Sequence, residues 1–531
     1  MFAIAFLIGL YANVLFLLGI AKLYQPSVIL GVTLVLIFFS IIFWGKFDEK
    51  GRMVDLYREF RLLLRLYPFY STLLIISAGL VLFGALAPEL SFDALWYHLT
   101  LPKIFLMQNG INYIPGGLFY YSTMPKLGEL LYVGALSMSN EILAKLIHAS
   151  FAFLTGIVIY ILARKYTGRK YALLAVVMFF SNIVVLWEAT IAYIDLIRTF
   201  FEVMSFWGLL AFLSTSKRKW LIESGMLMGL AVESKLVALS TVVIMLLLLF
   251  HFQKSSYKKR LKDLSIFALC SLIPSLGWFV LSYVSTDNPF YPLFTRYTIH
   301  FGQDTLAFPA FLLDPITVFF SAADPVSPIY LIIFPLFFVV HKRLHANSAP
   351  VFVFAILSLV VWTITPKTGG GRFLVPYLPV FSVAAAIVIS QLKGKKLSQI
   401  SLIAVTLCMV LAIAYRGIAS LRYVPVVFGF ETRQHFLATH LNYSFGDYSD
   451  IDGEVARSVK PSSTILLYGF HNLYYMNNNF IDASWVQKGD RFEYIATQNT
   501  SLPPRFRYWR PVYTNKTTGV TLYTIGTPWI Y

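Results

Sequence analysis

The stretch 91–129, SFDALWYHLTLPKIFLMQNGINYIPGGLFYYSTMPKLGE, concentrates residues that are suited to chemistry. Between its aromatic residues it carries two acids, a histidine and two lysines, namely Asp93, His98, Lys103, Lys126 and Glu129. An ionised carboxylate can take a proton from a hydroxyl group, and a lysine can neutralise a developing anion. The stretch is too polar for lipid and too aromatic for a plain linker, so we expect it to line a site.

A second acid and two further cations extend this candidate chemistry. Asp195 lies in the apolar run IAYIDLIRTF, where a free carboxylate is costly, so we interpret it as a second acid or a metal ligand. Lys235 and Arg372 are suited to phosphate, lysine as a point charge and arginine through its bidentate fork. Arg372 also follows three glycines whose bare backbone could approach an anion. Snorkelling to the membrane interface is the alternative for both cations.

The residues of the first stretch also have plainer interpretations. Asp93 could cap a helix through LWYHLTLPKIF, although we favour a catalytic role. His98 lies five residues further on, and we expect it to pack or hydrogen-bond locally. Lys126 and Glu129 begin the amphipathic run KLGELLYVGAL, which leaves a site role and an interfacial polar face equally open.

The composition identifies the kind of protein that must position these residues. Of 531 residues, 58% are hydrophobic and only 13% are charged, whereas soluble domains carry about 25% charged residues. The net charge of +17 would suggest nucleic acid in a soluble protein, but basic residues also collect in the short cytoplasmic loops of membrane proteins. No nucleic-acid motif is present. We therefore predict a polytopic membrane protein.

A window of about 20 apolar residues predicts about 13 membrane spans. They lie near 2–21, 27–45, 67–88, 141–163, 171–190, 192–214, the hairpin 220–252, 263–284, 328–341, 349–365, 373–391 and 398–420. The basic clusters all fall on one side of this arrangement, which is predicted to be cytoplasmic. The hairpin 220–252 has two short legs around Glu233 and Lys235, which predicts helices broken beside a cavity.

The predicted fold class is an all-α polytopic membrane protein with a small C-terminal extracytoplasmic α/β domain. Residues 1–66 would supply two N-terminal spans and a cytoplasmic loop. Residues 67–420 would form the catalytic membrane domain, with external loops 89–140 and 285–327. Residues 421–531 are more polar and contain a strand pattern at 463–470 and a hairpin pattern at 507–526.

Several motifs together resemble those of the GT-C glycosyltransferases, integral membrane enzymes that use polyprenyl-phosphate sugars. FDALWYHLTLPK resembles their first external loop, and MPKLGE is similar to a Pro-rich turn with an acid in the bacterial protein mannosyltransferase and aminoarabinose transferase branches. EATIAYIDLIRTFFE resembles the segment with the second acid. GLAVESKLVAL, STDNPFYPLF and GGGRFLVPYLP then resemble a Gly-plus-Lys turn, a GNPxxP element and a late Arg/Pro segment, in the family's order.

The resemblance implies transfer of a sugar, with inversion, from a polyprenyl-phosphate donor to a hydroxyl group of a lipid, glycan or protein. It implies a general base at Asp93, a second acid at Asp195, and a site in the plasma or inner membrane that faces outward. The candidates for binding the donor and its phosphate are Lys103, Lys126, Glu129, Lys235 and Arg372.

Three alternatives remain open at the level of the sequence. Many family members pair Asp with Glu in the first loop, whereas Ala94 follows Asp93 here. A divalent metal ion is therefore an open question, with Asp93 and Asp195 as its candidate ligands. The other two alternatives are a lipid or glycan transporter without catalysis and a polymerase or ligase that uses diphosphate-linked glycans.

Overall fold

The computed structural model describes residues 1–44, 49–295, 316–319, 325–364 and 370–531. The predicted external loop 285–327 lies largely outside these residues. Arg296 and Lys367 also lie outside them, as does the first of the three glycines before Arg372.

Helices, most of them apolar, form most of the described chain up to residue 420. They are α1 (Phe2–Ile20), α2 (Pro26–Trp44), α3 (Glu49–Leu66), α4 (Pro68–Ala85), α5 (Thr100–Met107), α6 (Leu127–Met138), α7 (Glu141–Arg164), α8 (Arg169–Phe180), α9 (Ile183–Glu188), α10 (Asp195–Thr215), α11 (Arg218–Ser234), α12 (Leu239–Phe252), α13 (Tyr257–Leu272), α14 (Leu276–Thr286), α15 (Ile329–Val340), α16 (Ala349–Ile364), α17 (Leu378–Ser390) and α18 (Lys395–Ser420).

Within the described ranges, seven helices are long and apolar enough to cross a membrane, or eight if the bent pair α13 and α14 is one span. The protein is therefore an integral membrane protein with several spans. The total of about 13 spans stays a prediction. One reason for the difference is that helix α8 stops at Phe180, where the Asn182 side chain donates to the carbonyls of Met178 (2.9 Å) and Phe179 (3.0 Å). Side chains that bond to nearby carbonyls in this way compete with helix continuation.

The break predicted around Lys235 is present in the structure. Helix α11 ends at Ser234, Lys235 has an extended backbone (φ −157°, ψ 121°), and a 3-10 turn over Leu236–Ala238 leads into α12. Non-helical backbone is tolerated at such a position where protein or a cavity surrounds it. The break turns the Lys235 side chain out of the two helices and towards helix α10.

Helix α10 is buried along most of its length and fixes the segment that precedes α17. Arg198 Nε lies 2.5 Å from Glu202 Oε1, and both side chains are buried. The Tyr377 hydroxyl lies 3.5 Å from Arg198 Nη2 and 3.4 Å from Thr241 Oγ1. Tyr377 ends the 3-10 segment Gly370–Tyr377. These contacts therefore hold that segment, and with it Arg372, against α10.

The C-terminal region contains a five-stranded mixed sheet in the order β2-β1-β3-β5-β4. Its strands are β1 (Thr464–Tyr468), β2 (Asn479–Asp482), β3 (Arg491–Gln498), β4 (Arg510–Asn515) and β5 (Val520–Ile530). Strand β1 pairs in parallel with β2 and β3, and β5 pairs antiparallel with β3 and β4. The strand pattern at 463–470 corresponds to β1, and the hairpin pattern at 507–526 corresponds to β4 and β5.

This C-terminal region packs directly on the 91–129 stretch through Lys103. The ammonium of Lys103 donates to the carbonyls of Tyr474 and Met476, both at 2.7 Å, and to Asn477 Oδ1 at 3.0 Å. Burial lowers the pKa of Lys103 to about 8, and the charge of Glu141 opposes this shift. Lys103 therefore joins helix α5 to the loop after β1.

Replacing Lys103 by Met should loosen this attachment, because three acceptors would lose a charged donor. A hydrogen bond to a charged group contributes about 1.5–3 kcal/mol, so we expect the loop 472–477 to open about 2 kcal/mol more easily. Faster amide hydrogen exchange in residues 472–477 would report this. Lys488→Met, on the exposed surface of the C-terminal region, is the control. Equal exchange in both variants would contradict the anchoring role.

Candidate active site

Asp93 lies at the start of a π-helical turn, Ala94–His98, that leads into helix α5. Asp93 is the residue directly before the turn, but its carboxylate makes no capping hydrogen bond. The structure therefore does not support the N-cap interpretation. The Leu99 amide donates to the Ala94 carbonyl at 2.9 Å, which closes the wider π-type turn. Such π-type turns are frequent at functional sites.

Glu89, just after helix α4, fixes the start of this stretch. One carboxylate oxygen accepts from the amides of Leu90 (2.9 Å) and Ser91 (2.8 Å), and the other accepts from the amide of Ala192 (2.7 Å). The same side chain therefore connects the Asp93 turn to the residues just before Asp195. The sequence analysis did not identify Glu89. Its position between an apolar helix and the candidate stretch is the signal that could have indicated it.

The centre of the site is the Arg372 guanidinium, which bridges the two candidate acids. Arg372 Nη1 lies 2.5 Å from Asp93 Oδ2, and Nε lies 3.0 Å from Asp195 Oδ2. Arg372 Nε also lies 3.4 Å from Glu188 Oε1. The Lys235 ammonium donates to the other oxygen of Asp195 at 2.7 Å. Four predicted site residues from distant parts of the sequence thus form one charged cluster.

Aromatic rings enclose this cluster. The Arg372 guanidinium lies 4.1 Å from the centre of the Tyr193 ring, and the Lys235 ammonium lies 5.0 Å from the Phe373 ring, both suitable for cation–π attraction. The Tyr193 hydroxyl accepts from the Asp93 amide at 3.3 Å, and the Tyr97 hydroxyl donates to Asp93 Oδ2 at 3.2 Å. Roles for Tyr193 and Phe373 were not predicted, although each is close in sequence to a predicted site residue.

His148 on helix α7 fixes the turn that presents Asp195. Its Nε2 accepts from the Leu196 amide at 3.2 Å, while its Nδ1 lies 2.8 Å from the Ile191 carbonyl and 3.0 Å from the Glu188 carbonyl. These partners assign a neutral ring with the proton on Nδ1. Asp195 is the first residue of α10, so its carboxylate also lies where the helix dipole favours negative charge.

The electrostatic surroundings keep Asp93 ionised. Burial raises the pKa of Asp93, but the positive charge of Arg372 and, more weakly, of Lys235 opposes this, and the pKa lies below its ordinary value. The carboxyl group of Asp93 is therefore ionised at neutral pH. It can accept a proton once the positive charge beside it is drawn to another anion.

A second buried group lies next to the first. His98 Nδ1 lies 2.9 Å from Glu129 Oε1, and the Lys126 ammonium lies 3.7 Å from the same oxygen. All three side chains are buried, so the alternative of an interfacial polar face for Lys126 and Glu129 is wrong. His98 was expected to pack or hydrogen-bond locally, and its hydrogen-bond partner is Glu129, at the other end of the 91–129 stretch. The Tyr97 ring, 5.9 Å from the Lys126 ammonium, lies between this group and Asp93.

The four cations predicted to bind phosphate lie at different distances from the two acids. Lys235 and Arg372 contact the acids directly. Lys126 is one side chain removed from Asp93, and Lys103 donates to the C-terminal region instead. Lys103 would have to leave its three acceptors to contact a ligand of the cluster.

The donor set of the cluster fits an anion better than a metal ion. In the described part of the chain, no group of three or more His, Cys, Asp or Glu side chains is arranged to hold a metal. The two proposed ligands, Asp93 and Asp195, each contact the Arg372 guanidinium instead.

Comparison with known proteins gives a family match and a shared fold. Residues 132–278 match the family of dolichyl-phosphate-mannose-protein mannosyltransferases. ArnT from Cupriavidus metallidurans bound to undecaprenyl phosphate is similar in structure, with a TM-score of 0.54 and 14% identity over 87% of this chain and 98% of that chain. The same protein in the apo state gives a TM-score of 0.53 and 14% identity over 86% and 97%. No curated protein sequence matches the chain significantly.

The matched family segment contains Glu188, Asp195 and Lys235, and the similar structures extend over nearly the whole chain. These findings confirm the resemblance found in the sequence. Residues 132–278 thus match a mannosyltransferase family, and the chain shares the fold of ArnT.

The Asp195–Lys235 pair should be strongly coupled, because Asp195 is fully buried. Removing one partner of a buried pair costs about 3–5 kcal/mol. We therefore expect Lys235→Met to lower the unfolding temperature clearly. The double variant Lys235→Met/Asp195→Leu should lose less thermal stability than the two single variants lose together. Thermal unfolding of the purified variants in detergent measures this coupling.

Lys219→Met is the matched control, since Lys219 is exposed and its pair with Glu223 spans 3.6 Å. An exposed pair contributes about 0–1 kcal/mol, so this variant should unfold near the wild-type temperature. Additive losses at Lys235 and Asp195 would show that the two residues do not form the pair on which the cluster depends.

Proposed function

We propose that the protein transfers a sugar from a polyprenyl-phosphate donor to an acceptor hydroxyl group, with Asp93 as the general base. The observation that carries this proposal is the Arg372 bridge between Asp93 and Asp195. The bridge puts a candidate base and a phosphate-binding cation at adjacent positions. This is the arrangement that a transfer from a phosphate leaving group requires.

Asp93 suits the base role better than Asp195 because it can be reached. Its side chain is 17% exposed, whereas that of Asp195 is 0% exposed. Asp195 is also held on both oxygens, by Lys235 on one and by Arg372 on the other. We therefore assign Asp195 the task of orienting the two cations and Asp93 the contact with the acceptor.

Arg372 and Lys235 would hold the phosphate of the donor. Their side chains are 12% and 15% exposed, so both reach the surface of the cluster. A guanidinium has five N–H donors, and Asp93 and Asp195 use one each. The remaining donors, with those of the Lys235 ammonium, can surround phosphate oxygens.

Donor binding would also prepare the base. A phosphate that shares Arg372 with Asp93 draws part of the positive charge away from the carboxylate. Because this charge lowers the pKa of Asp93 and burial raises it, the pKa would then rise. The proton affinity of Asp93 would thus increase only when the donor is bound.

The proposed reaction is a single displacement. The acceptor oxygen attacks the anomeric carbon of the sugar and gives its proton to Asp93. The bond between that carbon and the phosphate oxygen breaks, and the lipid phosphate leaves with its new negative charge stabilised by Lys235 and Arg372. Attack from the face opposite the leaving group inverts the anomeric configuration.

The donor class is supported by the similar protein, whose structure contains undecaprenyl phosphate. The aromatic residues beside Asp93 give the sugar a suitable surface. Trp96 packs against Tyr97 and Tyr121, with ring centres 5.0 and 5.3 Å apart. We propose that these rings flank the sugar and the start of the lipid chain.

Asp93→Asn should reduce sugar transfer by about a hundredfold or more, since a general base contributes about 10²–10⁴ in rate. The assay follows a radiolabelled sugar from a polyprenyl-monophosphate donor to an extracted acceptor fraction with purified protein. The amide keeps the size of the carboxylate, so folding and membrane insertion should be unchanged. Asp55→Asn, at a surface position of α3, is the matched control.

Near wild-type transfer by Asp93→Asn would remove Asp93 from the base role. Movement of lipid across vesicles by the wild-type protein without any transfer would instead support the transporter alternative. A requirement for diphosphate-linked donors would identify the polymerase or ligase class. The proposed function predicts transfer from the monophosphate donor only.

A further inference from the structure

A cavity lies at the opposite ends of the helices that carry the candidate active site. Helix α4 ends just before the Asp93 stretch and begins beside Tyr67, and α17 follows the Arg372 segment and ends at Ser390. Helix α4 has 18 residues, and at 1.5 Å per residue it is about 27 Å long. Tyr67 and Ser390 both line the cavity. The cavity therefore lies near the other membrane face.

The cavity is large and strongly basic. Its volume is 640 Å³, and it is lined by Tyr67, residues 164–171, Ser390 and Gln391. Residues 164–171 comprise the end of α7, the connecting loop and the start of α8, and they contribute four cations within seven residues, Arg164, Lys165, Arg169 and Lys170. Small-molecule sites typically have volumes of about 300–1,000 Å³. The space is therefore sufficient for a polar headgroup.

Only part of this positive charge is neutralised by the protein. Arg169 Nε lies 2.7 Å from Glu59 Oε1, and Arg164 Nη1 donates to the Thr167 carbonyl at 3.0 Å. Over the ranges that the structure describes, no carboxylate forms an ion pair with Lys165 or Lys170. Among the described residues, the four cations of the cavity are thus paired with one carboxylate, that of Glu59.

We propose that this cavity binds the headgroup of an anionic membrane phospholipid. Phosphodiester oxygens match lysine and arginine donors, and basic pockets between membrane helices are suited to anionic headgroups. The first amides of α8 follow Gly168, whose exposed backbone leaves the positive end of the helix dipole open to the cavity. The headgroup would lie among Lys165, Lys170 and these amides.

The surroundings of the cavity favour a lipid over a free phosphate. Tyr67, Tyr166 and Tyr171 lie at the cavity, and tyrosine is enriched at the membrane–water interface. The Lys165 ammonium lies 6.0 Å from the Trp207 ring, another residue type of that interface. Leu66 and Phe69, on either side of Tyr67 in the chain, are 51% and 53% exposed. They offer an apolar surface to the acyl chains.

The test is binding of phosphatidylglycerol to the purified full-length protein in mixed micelles, with phosphatidylcholine as the neutral comparison. Binding is measured by native mass spectrometry and by the shift in thermal unfolding. A basic residue near a membrane surface attracts anionic lipid strongly enough that losing two should weaken binding at least about tenfold. We therefore expect Lys165→Gln/Lys170→Gln to bind phosphatidylglycerol at least about tenfold more weakly than the wild type.

Two further double variants complete the design. Lys165→Arg/Lys170→Arg keeps the charge and should bind phosphatidylglycerol like the wild type. Lys258→Gln/Lys259→Gln removes two exposed lysines at the start of α13, outside the cavity, and should also bind like the wild type. An equal loss in this control would overturn the proposal, because binding would then follow general surface charge.

Two other results would also overturn the proposal. Equal binding of phosphatidylglycerol and phosphatidylcholine would show that the cations do not recognise an anionic headgroup. Displacement of the lipid by the same concentration of inorganic phosphate would show a free-phosphate site instead. None of the substituted residues contacts the Asp93 cluster, so sugar transfer by these variants reports the proposed function independently.

Discussion

A single guanidinium, that of Arg372, joins two carboxylates that the sequence separates by about a hundred residues. The bridge requires three separate segments to meet. They are the turn at Asp93, the start of α10 and the 3-10 segment before α17. Each segment is held by its own buried polar contacts. Glu89 fixes the first, His148 the second, and the contacts of Tyr377 with α10 the third.

The arrangement is stable because every buried charge in it has a partner. Removing a carboxylate from water costs several kcal/mol, which only close opposite charges and hydrogen bonds offset. In the cluster, Asp195 receives Lys235 on one oxygen and Arg372 on the other, and the Tyr193 ring covers the guanidinium. The same pairing leaves Asp93 more exposed than Asp195, and this difference distinguishes the two acids.

The sequence predicted those features that depend on local composition. Apolar runs located the ends of α1, α7 and α18 within a few residues, and the short legs of the hairpin 220–252 predicted the break at Lys235. The alternating pattern at 463–470 predicted strand β1. The resemblance of ordered motifs also selected Asp93, Asp195, Lys235 and Arg372, which the fold brings together.

Features that depend on distant partners could not be predicted in this way. Nothing in the neighbourhood of Lys103 indicates that its acceptors lie more than 370 residues away, in the loop after β1. The amphipathic pattern around Lys126 and Glu129 fits either a solvent-exposed polar face or a buried ion pair. Only the packing of the folded chain distinguishes the two. The span at 171–190 is divided because Asn182 bonds to nearby carbonyls, which a hydropathy window does not detect.

In the proposed reaction Arg372 keeps the general base Asp93 ionised through their direct contact, and the pH dependence of sugar transfer reports on this pair. Asp93 has a lowered pKa, so wild-type kcat/KM should be retained as the pH falls and be lost only near that lowered pKa. In Arg372→Gln burial remains while the opposing charge is gone, so the pKa should rise. The acid limb of the remaining activity should therefore move to higher pH. An acid limb at the wild-type pH in Arg372→Gln would show that Arg372 does not keep Asp93 ionised.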